Sequence, residues 1–139
     1  MARQRAELSE TELEVLKALW EHGPATVRDL HERLAGNRRQ WAYTTVQTFL
    51  MRLESKGYAE SEKSGTANIF HAIVDRETLL KQRLGHLARE LCDGMATPLV
   101  KALVEGQKFS PNEIDQFRRL LDELESSPDH PVAKPRRKR

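Results

Sequence analysis

Cysteine is almost missing from this chain: Cys92 is the only one. An intramolecular disulfide is therefore excluded, and a reducing cytoplasm is the expected compartment. Long apolar runs are missing as well, so no segment reads as a transmembrane span. Residues 1–5 lack the apolar centre of a signal peptide, and no membrane insertion is expected. There is no Gly-rich phosphate loop and no nucleophile-base pair. His22, His31, His71 and His86 stand at no ligand spacing with one another or with Cys92. These absences argue against an enzyme, a resident metal and a cofactor. An excess of one charge is absent from the body of the chain too. Residues 1–73 hold ten Lys/Arg against ten Asp/Glu, and residues 74–127 hold eight against ten. The last twelve residues hold five against one. Bulk electrostatics therefore does not point to a polyanionic partner, and any such signal must be local.

The local signal is strong. Trp41 to Tyr58 reads as one helix with two unlike faces. Val46, Phe49, Leu50 and Leu53 fall at i, i+3, i+4 and i+7, a stripe that must pack inward. The opposite side carries Thr44, Thr45, Gln47, Thr48 and Arg52. A merely solvated face would show Glu and Lys pairs, whereas Thr, Gln and Arg reach base edges and phosphates in a major groove. Arg38, Arg39, Arg52 and Lys56 oppose Glu54 alone between residues 38 and 58. The pattern is that of a DNA-recognition helix.

Its surroundings fit. Ser9 and Glu12 form a capping box at the first helix, with Leu8 and Leu13 placed as a hydrophobic staple. Leu13, Leu16, Leu19 and Trp20 give that helix its apolar face, and His22-Gly23-Pro24 stops it. Thr26 and Asp29 open a second helix, whose inward side is Val27, Leu30 and Leu34 and whose stop is Gly36-Asn37. Tyr58 to Glu62 and Asn68 to Ile73 alternate as strands around the turn Lys63-Ser64-Gly65-Thr66. Three short helices and a hairpin make a winged helix-turn-helix domain, expected over residues 1–74. Thr44, Thr45, Gln47 and Thr48 are the expected base readers. Arg28, Tyr43, Arg52, Lys56 and Lys63 are the expected backbone contacts. Trp20 and Trp41 are expected in the core, and Cys92 is expected as a small buried hydrophobe.

From Asp75 onward the pattern is helical. Leu80, Leu84, Leu87 and Leu91 form a seam long enough for a partner helix. Leu99 to Val104 is a short apolar helix ending at Gly106. Phe109-Ser110-Pro111-Asn112-Glu113-Ile114 starts another that runs through Phe117, Leu120, Leu121 and Leu124. Three helices over residues 75–126 are too little to enclose a core alone. A homodimer is the economical solution, with Leu80, Leu84, Leu87, Leu91, Leu99, Leu103, Phe117, Leu120 and Leu121 in its interface. Residues 127–139 read as a disordered basic tail. The fold class is thus mainly α with a small β-hairpin: a winged helix followed by a three-helix dimerisation segment.

From about Leu8 to Leu124 the chain resembles the penicillinase-repressor family of BlaI/MecI type. The motifs that carry this run from Leu8 to Leu16 with Leu19-Trp20, then Pro24-Ala25-Thr26-Val27-Arg28. Trp41 to Val46, Arg52-Leu53, Lys56-Gly57-Tyr58 and Pro98-Leu99-Val100 follow, before the closing Glu113 to Leu124 helix. The resemblance implies a homodimeric winged-helix repressor seated on a palindromic operator in double-stranded DNA. It also implies release when a membrane sensor, through a linked protease, leads to cleavage in the dimerisation segment. The bond at the matching place is Ala102-Leu103, whereas staphylococcal members have Asn-Phe. Copper-responsive relatives carry paired cysteines, which a single Cys92 cannot supply. Many members have Ser where Ala42 stands, and the wing often has Arg soon after its Gly, where Thr66-Ala67-Asn68 stand here. The alternative function is a winged-helix scaffold for protein interaction without sequence-specific DNA binding. Such a scaffold would more often expose apolar anchors on the helix face.

Overall fold

The computed structural model describes residues 7–36 and 40–127. Asn37, Arg38, Arg39 and the basic tail from residue 128 lie outside the described residues. The element order is α1 (Glu10–His22), α2 (Val27–Gly36), α3 (Tyr43–Ser55), β1 (Ala59–Ser64), β2 (Ala67–Ala72), α4 (Arg76–Leu91), α5 (Thr97–Gly106) and α6 (Pro111–Ser126). The fold is a winged helix-turn-helix followed by helices. Among the described residues no helix is long and apolar enough to cross a membrane.

Helix starts are written in the sequence and realised locally. The Ser9 hydroxyl accepts from the Glu12 amide at 3.2 Å, and the Glu12 carboxylate accepts from the Ser9 amide at 2.9 Å. Thr26 and Asp29 exchange the same pair of bonds at the entry to α2, at 3.1 and 3.3 Å. Asp75 caps α4 by accepting from the Thr78 amide at 2.7 Å. Hydrogen bonds from the Thr78 hydroxyl and amide hold the Asp75 carboxyl below its ordinary range.

The contacts divide the chain into two compact units, Met1–Leu87 and Ala88–Arg139. The first unit extends past the hairpin and into α4. Leu79 is buried with Val74 in the core of the first unit, which carries most of α4 with it. That core gathers Val15, Leu16, Leu30, Val46, Leu50 and Leu53, all fully enclosed, with Tyr58 and Phe70 closing it from the wing side. Trp20 and Trp41 pack against it half-buried. The Trp20 indole donates to the Val74 carbonyl at 2.8 Å, and the Arg76 guanidinium lies over the same ring at 5.4 Å.

The wing is an antiparallel hairpin in the register Ala59↔Ala72 to Ser64↔Ala67. That register leaves a two-residue turn, Gly65-Thr66, and Gly65 takes φ +65°, which suits glycine. Phe70 also bridges Ala25, with reciprocal amide bonds of 2.8 and 2.9 Å. The turn before α2 is thereby stitched to the hairpin.

In the second unit, α6 opens with a full box: the Glu113 amide donates to Ser110 Oγ at 3.2 Å, and the Ser110 amide donates to Glu113 at 3.0 Å. Phe109 and Phe117 meet edge to face at 5.0 Å. No side chain of α5 or α6 is buried. Cys92, one residue past the end of α4, is half-buried and not enclosed as expected.

One buried charge stands out in the first unit. The residue Glu12 is 1% exposed, and its carboxylate accepts from Lys56 Nζ at 2.6 Å. Burial raises its pKa, but the hydrogen bonds from Lys56 and Ser9 together outweigh burial and hold it below the usual carboxylate range. Ionised Glu12 therefore stabilises the fold fully above the unfolded carboxyl value of about 4.3. That contribution is lost as pH falls through the lower folded value. Lys56→Met should cost about 1.5–3 kcal/mol at pH 7, the loss of a hydrogen bond to a charged group. The penalty should shrink near pH 4, where the stranded carboxyl takes up a proton. Urea unfolding of both proteins at the two pH values checks this; an equal loss at both would show that the charge plays no part.

Candidate nucleic-acid interface

The helix at the centre of the site is shorter than its sequence pattern suggests. It runs Tyr43–Ser55, not Trp41 to Tyr58. Ala42 precedes it in extended backbone, at φ −64° and ψ 155°. Gly57, at φ +87°, ends it, and the Tyr58 amide folds back to the Leu53 carbonyl at 2.9 Å. Trp41 and Tyr58 extend the apolar pattern because both belong to the core, not because both are helical.

Val46, Leu50 and Leu53 face inward, with Phe49 half-buried beside them. Trp41 meets Phe49 edge to face at 5.1 Å. The outer side carries Tyr43, Thr44, Gln47, Thr48 and Arg52, all exposed, while Thr45 is half-buried on the flank. The Thr48 hydroxyl donates to the Thr44 carbonyl at 2.9 Å, which leaves its oxygen available as an acceptor. Among the described residues no carboxylate pairs with Arg52, since Glu54 accepts from the Ser61 amide and hydroxyl at 3.1 and 2.7 Å. Arg28 opens α2 on the surface, 3.8 Å from Glu32. Lys63 stands exposed opposite Asn68, next to the wing turn.

Lys56, expected at the phosphates, is engaged by a carboxylate. Its ammonium is bonded to Glu12 and to the Glu7 carbonyl, at 2.6 and 2.9 Å. Drawing that ammonium away to a phosphate would strand the Glu12 carboxylate.

Two residues escaped the sequence reading. Met51 follows Gln47 by one turn on the outer side and is 58% exposed. Its spacing was visible, but an apolar residue is ordinarily assigned to the core stripe. His31, on α2, bonds the Trp41 carbonyl at 2.9 Å and lies edge to face with Tyr43 at 5.9 Å. No local pattern announces a contact across ten residues and a turn.

The residues expected in a dimer seam are mostly bare in the single chain. On α4, Leu80, Leu84, Leu87 and Leu91 are 54, 36, 37 and 71% exposed. Leu103 on α5 and Phe117, Leu120 and Leu121 on α6 are exposed too, while Leu99 is half-buried. Ala102 and Leu103 lie inside α5, both exposed.

A polar helix face seated on a compact core beside a hairpin defines a winged helix-turn-helix protein. The penicillinase repressor family profile matches residues 8–123, and the chain belongs to that family. It is 33% identical to the transcriptional regulator BlaI of Mycobacterium tuberculosis, covering 86% of both chains. It is 25% identical to the penicillinase repressor of Bacillus licheniformis, over 84% of this chain and 91% of the relative. A solved structure of the monomeric B. licheniformis BlaI with the blaP half-operator matches 54% of this chain and 90% of its own, at 28% identity and TM-score 0.46.

Proposed function

We propose that this protein is a homodimeric transcriptional repressor that reads a palindromic operator with the outer face of α3. The observation that carries the reading is the face itself. Thr44, Gln47 and Thr48 are exposed on a helix whose opposite side is locked into the core by Val46, Leu50 and Leu53. Such side chains offer donors and acceptors to base edges, and a rigid mount makes those offers specific. Arg28, Tyr43, Arg52 and Lys63 serve the phosphates around it. Met51 adds an apolar contact suited to a thymine methyl. Lys56 is left out of the contact set because Glu12 holds it.

The bare apolar stripes of α4, α5 and α6 support the dimer, since so much exposed apolar surface calls for a partner. A two-fold dimer presents two α3 helices to two half-sites. Relief by an inducing signal acts through the same segment. The Ala102-Leu103 bond lies in a ten-residue helix whose N-cap, Ala96, supplies no side-chain hydrogen bond. A helix this short opens readily, and a protease linked to a membrane sensor requires an opened backbone.

Selection of duplexes from a random pool with the full chain, at near-physiological salt, tests the reading. A palindrome with half-sites about one helical turn or a multiple apart is expected. Binding to all DNA alike, and only at low salt, would favour the scaffold function instead. On the selected duplex, Gln47→Ala should weaken discrimination at particular base pairs by about 1–3 kcal/mol. Equal weakening on random DNA would remove Gln47 from base reading. Leu87→Asp should give monomers in sedimentation velocity, because it would bury an unpaired charge in the seam. A dimer that survives it would place the interface elsewhere.

A further inference from the structure

Four helices begin with a side-chain cap: α1 with Ser9, α2 with Thr26, α4 with Asp75 and α6 with Ser110. The reading helix does not. Its N-cap is Ala42, which makes no side-chain cap hydrogen bond. A helix start without a cap is worth roughly 1 kcal/mol less than one with Ser, and it frays first. Yet the first turn of α3 carries Thr44 and Thr45, followed at once by Gln47 and Thr48. A base reader on a frayed turn loses its geometry.

His31 lies where a replacement is needed. It projects from α2, half-buried, and its Nε2 sits 2.9 Å from the Trp41 carbonyl. A carbonyl only accepts, so Nε2 must carry the proton and donate. The same ring meets Tyr43 edge to face at 5.9 Å. Ala42 is thus bracketed: the residue before it is held through its carbonyl, and the residue after it through its ring. Trp41 is in turn fixed by Phe49, at 5.1 Å, and by the core. The chain entering α3 is pinned from a neighbouring helix instead of by its own cap.

We propose that His31 is a positioning residue for base readout, a tether between helices that substitutes for the missing cap of α3. This rests on the reading of α3 as the DNA-reading helix. The tether acts through Trp41 and Tyr43 and needs no contact with DNA of its own.

The test uses the full chain and three substitutions. His31→Phe keeps an aromatic ring and loses the donor; His31→Gln keeps a donor at the side-chain end; Ala42→Ser restores a local cap. In the DNA-free protein, His31→Phe should speed amide exchange at Thr45 and Val46, whose bonds go to Ala42, by about fivefold, the size of one lost cap. Amides in α1 should not change. On DNA, the ratio of affinities for the selected operator over a scrambled duplex should fall by a similar factor. Ala42→Ser added to His31→Phe should recover most of both losses, and His31→Gln should lose little of either. Unchanged exchange at Val46, or an increase shared equally by α1, would overturn the tether. Equal loss of affinity on both duplexes would make His31 an ordinary phosphate contact and overturn the proposal as well. Wild-type protein that prefers no duplex would overturn the DNA reading alone, and the exchange result would then decide the tether by itself.

Discussion

The Glu12–Lys56 pair is the constraint around which the first unit is arranged. One carboxylate closes the capping box that starts α1 and also takes the ammonium just past the end of α3. Burial would push this carboxyl toward its neutral form; the bonds from Lys56 and Ser9 reverse that and keep it ionised. Such a pair adds little net stability over a well-packed apolar pair in place of both residues, because desolvating two charges is costly, although removing one partner alone is destabilising. What it supplies is direction. Apolar packing of Val46, Leu50 and Leu53 tolerates small slides and rotations of α3, whereas a 2.6 Å charge-assisted bond does not. The C-terminal end of α3 is thereby fixed to the N-terminal end of α1.

The other end of α3 is fixed by different means. The bond from His31 to the Trp41 carbonyl and the Trp41–Phe49 contact hold the entry, and the Phe70–Ala25 bridge ties the turn before α2 to the hairpin. The helix is therefore held at both termini by directional contacts and along its length by core packing. Its outer side is left free to carry Thr44, Gln47, Thr48 and Arg52, all of them exposed and outside the core. That separation matters physically: residues on this face can change without destabilising the domain, and the domain can be stabilised without altering the face.

How far the sequence reveals this depends on the range of each interaction. Caps act over three residues, so Ser9 with Glu12, Thr26 with Asp29 and Ser110 with Glu113 were all visible. Periodicity acts over two turns, and the inward stripe of α3 was visible too. The overestimate of α3 has the same origin: Trp41 and Tyr58 are core residues that happen to continue the stripe. Contacts across the fold left no local trace. The carboxylate partner of Lys56 is 44 residues away, and the His31 bond to Trp41 spans ten residues and a turn. The exposed leucines of α4 are legible as a seam, but that Leu79 on the same helix joins the core of the first unit is not.

The second unit shows the complementary economy. Its α6 has a full capping box, Pro111 in the first turn and an aromatic pair, yet no buried side chain. Helix ends are specified locally, whereas no side chain of α5 or α6 is buried. Fully burying one leucine contributes about 1.5–3 kcal/mol, so the apolar side chains left bare on α4, α5 and α6 represent a large stabilisation that the proposed dimer would realise. In the proposed dimer, helix order and chain pairing would then be a single equilibrium. The short, uncapped α5 is the element least secured on its own, and breaking it would remove apolar surface from both copies at once. In that proposed arrangement, damage to α5 would be enough to separate the two copies of α3.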